Sequence, residues 1–336
     1  MTLDFLIPHW QETPDVMEPL LGSIALQQGV DLANVGVIIA YDGPDAAPLP
    51  DRRWKERYPF RIIHTHAPKG GVSATRNAAL DASNADYVMF CDADDMLHNM
   101  CGLQIVFEQM GKGFDALVST FMEQTKMPGT DALGFVPHVN DVTFVHGKVY
   151  RREYLIDKNI RFNPALTVHE DSYFNVLARE CAGESVYCQQ PFYLWRWRDE
   201  SVCRHDPKYI LKTFDNMLDS NDALIDEFVR RGMLEKAAQY AVSMVWDSYY
   251  TMNKPEWRDC VNREHRRRVE RRFRAWFAKH GAMWRSMDEH QRLAISVPIR
   301  QRQIAEGMLS EAVTPDQWLR HVMAKDGNGK KKRRKR

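Results

Sequence analysis

The segment Tyr87-Val88-Met89-Phe90-Cys91-Asp92-Ala93-Asp94-Asp95 constrains the fold of this chain more than any other. An apolar run with the composition of a β-strand ends abruptly in three carboxylates within four positions. A buried, unpaired carboxylate is very costly, so this charge cannot be carried through a core. The strand must leave its sheet where the aspartates begin, and the carboxylates must face water or a cation. Ligands of open α/β sheets bind at the carboxyl ends of the strands. Asp-x-Asp at such an edge supplies hard oxygen ligands of the kind that hold Mg²⁺ or Mn²⁺ against a substrate's phosphates. A solvated acidic turn that only caps the next helix is the other reading of the same residues.

The surrounding residues alternate strand and helix. Residues 4–8 form a short apolar run, and Met17, Leu20, Leu21, Ile24 and Ala25 recur at helical spacing within 16–28. Residues 35–41 are almost continuously apolar, as in a strand buried on both faces, and end in the turn signature Asp42-Gly43-Pro44-Asp45. Residues 61–65 read as a third strand. Gly70-Gly71-Val72-Ser73 opens a helix through Leu80, with Ser73 as its cap. A fourth strand over 86–91, a helix over 97–110 and a fifth strand over 114–121 follow. This rhythm predicts an α/β fold with a largely parallel sheet covered by helices on both faces. Residues 122–165 are less regular and are expected to include loops near a site. Helices are expected at 151–158 and 170–182, and strands at 185–189 and 191–197. Beyond residue 207 the periodicity is helical only, over 207–231, 233–252, 256–280, 287–306 and 314–324. The expected organisation is an α/β domain over 1–205, a helical domain over 206–325 and a disordered basic tail over 326–336.

A chain of 336 residues, 44% hydrophobic and 27% charged, is long enough for one large core or two domains. The net charge of +1 conceals a segregation: residues 251–336 hold 23 Lys and Arg against 10 Asp and Glu, while residues 1–250 hold 23 against 35. Either the C-terminal part meets something anionic, or a basic helical layer neutralises an acidic domain. No apolar run approaches the roughly 18–20 residues of a membrane span. The apolar N-terminal patch is too short for a signal peptide and has no basic region before it. The six cysteines show neither paired nor framework spacing, as expected of free thiols in a reducing compartment. A cytoplasmic protein is expected.

Several segments stand in a characteristic order: Asp4-Phe5-Leu6-Ile7-Pro8-His9-Trp10-Gln11-Glu12, Ile38-Ile39-Ala40-Tyr41-Asp42-Gly43, Gly71-Val72-Ser73-Ala74-Thr75-Arg76-Asn77, Phe90-Cys91-Asp92-Ala93-Asp94-Asp95, Gly147-Lys148-Val149-Tyr150-Arg151-Arg152, Arg161-Phe162, His169-Glu170-Asp171 and Tyr193-Leu194-Trp195-Arg196. Over roughly residues 3–203 this succession resembles family 2 of the GT-A-fold nucleotide-sugar glycosyltransferases. The resemblance implies a role for each residue. Pro8 and the loop after it would line the nucleotide pocket with backbone groups. Asp42 would accept from the base of a uridine nucleotide, and Arg76 and Asn77 would lie near the nucleotide or the acidic loop. Asp92 would face the ribose. Asp94 would ligate the Mn²⁺ or Mg²⁺ that holds the diphosphate of a UDP-sugar, with His205 as a further ligand and Asp95 assisting or capping. Asp171 would be the base that takes the proton of the acceptor hydroxyl in an inverting displacement. His169 would shape the acceptor side, and Lys148, Arg152 and Arg196 would meet phosphates or structural carboxylates.

Two features set the expected reaction apart. Tyr41-Asp42 stands where the family often has an aspartate pair, and the Gln-x-x-Arg-Trp signature of processive synthases is missing, so single addition is expected. The basic segment 256–280 interleaves Arg258, Arg263, Arg266, Arg267, Arg268, Arg271, Arg272, Arg274 and Lys279 with Trp257, Phe273, Trp276 and Phe277. With the tail 330–336, such a face suits a phosphate backbone. A vaguer similarity to glycosyltransferases of bacteriophages points the same way, and makes a hydroxymethylated base in DNA the leading acceptor. The alternative is a cell-envelope saccharide or a lipid-linked acceptor approached along an anionic membrane surface. A nucleotide-sugar-binding protein without transfer activity is the reading from another class.

Overall fold

A computed structural model describes residues 1–127, 129–199, 209–305 and 313–324. The chain divides into two compact units, Met1–Ser201 and Val202–Arg336.

In the first unit, β1 (Leu3–His9), β2 (Val35–Asp42), β3 (Arg61–Ala67) and β4 (Tyr87–Phe90) pair in parallel in the order β3-β2-β1-β4. β1 and β2 are buried along almost their whole length. That is why they read as continuous apolar runs instead of alternations. The crossovers carry α1 (Pro14–Ala25), α2 (Asp51–Arg57) and α3 (Gly71–Ala82). No periodicity announced α2, because its buried residue is the single Trp54, held by an indole hydrogen bond of 3.1 Å to Glu18. Phe5, Ile7, Leu21, Ile39, Trp54 and Met89 belong to the resulting core.

After β4 the chain departs from expectation. Residues 96–97 form β5 (Met96–Leu97), and the next helix starts only at α4 (Gly102–Met110). The intervening segment is anchored: Asn99 donates to the Pro191 carbonyl at 2.6 Å, and the amide of His98 donates to the Phe192 carbonyl at 2.9 Å. The next strand, β6 (Ala116–Lys126), runs on into the region expected to be irregular and folds back as a hairpin with β7 (Leu133–His138). Then come β8 (Lys148–Arg151), α5 (Arg152–Asp157), α6 (Glu170–Cys181) and β9 (Ser185–Trp195). β8 lies antiparallel between β4 and β6, while β9 runs parallel to β6. The two strands expected at 185–189 and 191–197 are therefore one. β9 takes five residues from Cys188 to Tyr193 where β6 takes two from Ser119 to Phe121. Pro191 sits in that bulge, where its missing N–H leaves no gap in the ladder. The sheet is mixed, parallel around β1 and antiparallel at β8. It brings the carboxyl ends of β1, β2 and β4 to one edge.

The second unit is helical: α7 (Tyr209–Lys212), α8 (Phe214–Arg230), α9 (Leu234–Asn253), α10 (Pro255–Cys260), α11 (Arg263–Ser286), α12 (Glu289–Ala305) and α13 (Pro315–Ala324). The single helix expected over 256–280 is two helices. Asn262 breaks it by capping α11, its side chain accepting from the amide of His265 at 2.9 Å. Trp257, Phe273, Trp276 and Phe277 are buried, so the aromatics interleaved with arginine are core. Much of the basic face is internally matched. Asp215, Asp219, Asp222 and Asp226 recur at helical spacing on α8 and meet α11. Arg268 and Arg272 reach Asp215 at 3.0 and 3.1 Å, and Arg272 also pairs with Asp219. Lys279 lies 2.9 Å from Asp222 and 2.5 Å from Asp226, and His280 lies 2.5 Å from Asp222. The division of charge at residue 250 thus separates α8 from the helix that neutralises it. Arg263, Arg267 and Arg271 are exposed. The tail 330–336 lies outside the described residues. Among those described, no helix is long and apolar enough to cross a membrane.

One glycine of the parallel sheet carries a testable constraint. Gly36 on β2 lies beside Asp4 on β1, whose buried carboxylate takes hydrogen bonds of 2.7 Å from both Arg61 and Ser83. A Cβ at position 36 would run into Asp4 Oδ1 and come within 2.7 Å of Arg61 Nη2. Gly36→Ala should displace that pair and destabilise the first unit by about 1–3 kcal/mol. Thermal unfolding measures this, and a midpoint equal to wild type would show that the strands absorb the methyl group.

Candidate active site

The site is organised by a buried guanidinium. Arg76 comes from α3, which begins immediately beyond the end of β2. Asp42 Oδ1 accepts from the amides of Gly70 and Gly71 at 2.9 and 3.1 Å and so caps α3 from the neighbouring strand. Gly71 has φ 77°, a left-handed backbone that favours glycine. Gly70, not Ser73, is the N-cap residue; Ser73 is buried inside the helix. The Arg76 side chain then points at three carboxylates. Nη2 lies 2.7 Å from Asp92, while Nη1 lies 2.5 Å from Asp171 and 3.2 Å from Glu170. Its guanidinium stands over the Phe162 ring at 5.2 Å. Asn77 holds that ring in place, donating to the Phe162 carbonyl at 2.9 Å and accepting from its amide at 3.0 Å. Asn77 is therefore a clamp on the 162 segment.

Glu170 and Asp171 reach Arg76 because α6 starts at a strained residue. His169 is in the left-handed region, with φ 64° and ψ 20°. Non-glycine residues rarely adopt that conformation, and it turns both acids of the first helical turn toward Arg76. Burial pushes the Asp171 carboxyl above the usual carboxylate range, against the pull of Arg76. Burial, with the Asp171 charge beside it, pushes Glu170 up to about 7. Burial also acts on Asp92, but Arg76 overcomes it and holds that carboxyl below its ordinary value.

The remaining acids of the turn have distinct partners. Asp94 Oδ2 lies 3.1 Å from Arg198, and burial followed by the charge of Asp92 raises its pKa. Asp95 is fully buried, accepting from the Tyr193 hydroxyl at 2.5 Å and the Arg196 amide at 3.0 Å. Arg196 also donates to the Asp94 carbonyl at 3.2 Å. His146 stands 3.7 Å from Asp95, from Nδ1 to Oδ2. Asp92, Asp95 and His146 each present a ligand atom within 4.8 Å of the other two. This donor set fits a divalent cation.

The other expected residues are placed as follows. Pro8 lies near the end of β1, paired with Ala40. Tyr41 turns inward from Asp42. Its hydroxyl is hydrogen-bonded to His64 at 2.8 Å and its ring stacks on His66 at 4.8 Å, so it is packing where an aspartate pair would be polar. Lys148 is buried and donates to the Phe144 carbonyl, with Asp141 at 3.5 Å. It braces the segment before β8. His205 lies outside the described residues. The structure thus gathers Arg76, Asp92 and Asp171, with Asp94 in the same turn and Asp42 capping the helix that carries Arg76. Sequence reasoning read Glu170 as no more than a helix-start acid and did not single out His146. A lone histidine 54 positions from Asp92 carries no local signal.

Residues 4–176, just over half of the chain, match Glycosyl transferase family 2. The chain belongs to that family. It is 26% identical over 216 residues to EpsH of Bacillus subtilis, a protein named as a glycosyltransferase, covering 58% of this chain and 61% of EpsH. A stretch of 73 residues, 21% of this chain and 8% of the other, is 29% identical to the minor teichoic acid biosynthesis protein GgaB of Bacillus subtilis. The chain spans less than two thirds of the length of the curated relatives it matches. Among solved structures, TarS 1-349 of S. aureus in complex with UDP-GlcNAc superposes with a TM-score of 0.64 at 16% identity, over 83% of this chain and 82% of that one. The fold is GT-A, as the resemblance implied, with the C-terminal helical region that the periodicity predicted.

Glu170 gives this site a pH signature. Its folded pKa of about 7 lies above the ordinary value near 4.5. The folded state therefore keeps a proton that the unfolded chain has released. The associated stability is present below the ordinary value and is lost as pH rises toward 7. Glu170→Gln removes this dependence. Relative to wild type, the variant should gain on the order of 1–3 kcal/mol between about pH 5 and about pH 7.5. Urea unfolding at the two pH values measures it, and a gain that shrinks with rising pH would contradict the assignment.

Proposed function

We propose that the chain transfers one sugar from a UDP-sugar to a hydroxyl of an anionic cell-envelope glycopolymer, with inversion at the anomeric carbon. The observation that carries this reading is the placement of Asp171 on the Arg76 guanidinium that also holds Asp92. A candidate base and the donor-binding acidic turn share one rigid buried group. The uridine end of the donor belongs at the edge formed by Pro8 and Asp42, with the ribose toward Asp92. The acidic turn 92–95 would hold a divalent cation, which would supply positive charge against the departing diphosphate. Asp171 takes the proton from the acceptor hydroxyl while that oxygen attacks the anomeric carbon, and the bond to the UDP oxygen breaks on the opposite face. Arg76 keeps Asp171 ionised and oriented, and burial makes it a stronger base than an exposed aspartate.

The acceptor proposed is the envelope alternative in place of the DNA base that the basic helix suggested. Two observations support the change. Arg268, Arg272 and Lys279 are paired with aspartates of α8. A relative is named for teichoic acid biosynthesis. The setting proposed is reducing and cytoplasmic, which the free thiols Cys91, Cys101 and Cys188 fit. Asp171→Asn should keep UDP affinity in calorimetry and lower turnover by about 10²–10⁴-fold. Wild-type turnover, or a product with retained configuration, would show the mechanism to be wrong. Mass shifts on teichoic acid, glycolipid and hydroxymethylated DNA incubated with a panel of UDP-sugars test the acceptor. Transfer to DNA alone would overturn it.

A further inference from the structure

The cation in that mechanism needs ligands, and the familiar choice of Asp94 is not the one the geometry favours. Asp94 is held by Arg198. Beside it, Asp92, Asp95 and His146 each offer a ligand atom, all within 4.8 Å of one another. Donors about 2.1 Å from one octahedral ion stand about 3.0 Å apart when cis and about 4.2 Å when trans, so the three side chains close onto the ion as it binds. His146 supplies an independent pointer. The residue is 2% exposed, and its Nδ1 has no hydrogen-bond partner among the described residues. That nitrogen faces Asp95 Oδ2 at 3.7 Å. A buried polar atom without a partner is a penalty that a coordinated ion removes.

From this juxtaposition, and resting on the proposed function, we infer that His146 is a direct ligand of the divalent cation, together with Asp92 and Asp95, and that the site selects Mn²⁺ over Mg²⁺. Imidazole suits transition metals and is a poor ligand for Mg²⁺. The ligands are preorganised. The His146 ring lies over Tyr193 at 5.0 Å and Phe144 at 5.6 Å, both nearly parallel. The following residue, Gly147, has φ 65°, and its carbonyl accepts from Ser119 Oγ at 2.9 Å. The Tyr193 hydroxyl and the Arg196 amide orient Asp95 from behind, each on a different oxygen. A carboxylate oxygen retains a further lone pair for a metal. Among the described residues, the guanidinium groups of Arg76 and Arg198 stand on the carboxylates of Asp92, Glu170, Asp171 and Asp94, while Asp95 is met by the Arg196 backbone amide. The excess negative charge favours a cation. Asp92, with a side chain one-third exposed, leaves the outer coordination positions open to a diphosphate.

Electron spin-echo modulation of Mn²⁺ bound to the full chain with UDP tests this directly. Wild type should show nitrogen modulation from a coordinated imidazole. His205→Gln should retain it and His146→Phe should lose it. The free-Mn²⁺ signal should report a Kd for Mn²⁺ raised roughly tenfold or more in His146→Phe, with Mg²⁺ affinity, measured by competition, changed far less. Bound Mn²⁺ without nitrogen modulation, or modulation persisting in His146→Phe, overturns the inference and leaves the proposed function standing. Failure of wild type to bind Mn²⁺ at all overturns both. If His146→Phe does not fold by circular dichroism, the wild-type and His205→Gln spectra decide.

Discussion

Everything around the candidate site depends on a buried guanidinium surrounded by carboxylates. Taking a charge out of water costs several kcal/mol even in a relaxed protein interior, so Arg76 is tolerable only because Asp92, Asp171 and Glu170 meet it at 2.5–3.2 Å. The dependence is mutual, since two of those acids are pushed up by burial and would be worse without it. The pair energies matter less than the geometry they enforce. One side chain on α3 joins the turn after β4 to the first turn of α6, elements far apart in sequence. The Asp42 cap on α3 and the Asn77 clamp on Phe162 set where that side chain begins and what lies beneath it.

The departure at Tyr41 shows why a strand tolerates such a change. Neighbouring strand residues face opposite sides of a sheet. Tyr41 therefore alters only the inner face, where it joins His9, His64 and His66, and leaves Asp42 at the edge to cap α3. In the helical unit the same logic acts through a period near four. The acidic face of α8 and the basic face of α11 make a ladder of ion pairs whose value is orientation more than stability, because most of its members are partly solvated. Net charge along a sequence cannot reveal such cancellation, because the partners lie more than fifty residues apart.

Much of the fold was legible in the sequence, for a local reason. Burial on both faces of β1 and β2 demands uninterrupted apolar runs, and the acids at Asp92, Asp94 and Asp95 can only stand where a strand ends. Order along the chain therefore determined the α/β rhythm, the acidic turn, the family and the pairing of a base candidate at Asp171 with a helix start. What depends on partners distant in sequence was decided by tertiary structure. The bulge that joins 185–195 into one strand, the capping of α3 by Asp42, the split of the basic helix at Asn262 and the turning of Lys148 to brace a loop all rest on side chains meeting across the fold. The same holds for His146, which sequence leaves as one histidine among twelve. Only the packing of β8 beside the acidic turn brings its ring nitrogen to Asp95, because proximity in a folded chain is a property of the sheet order and not of the spacing of residues.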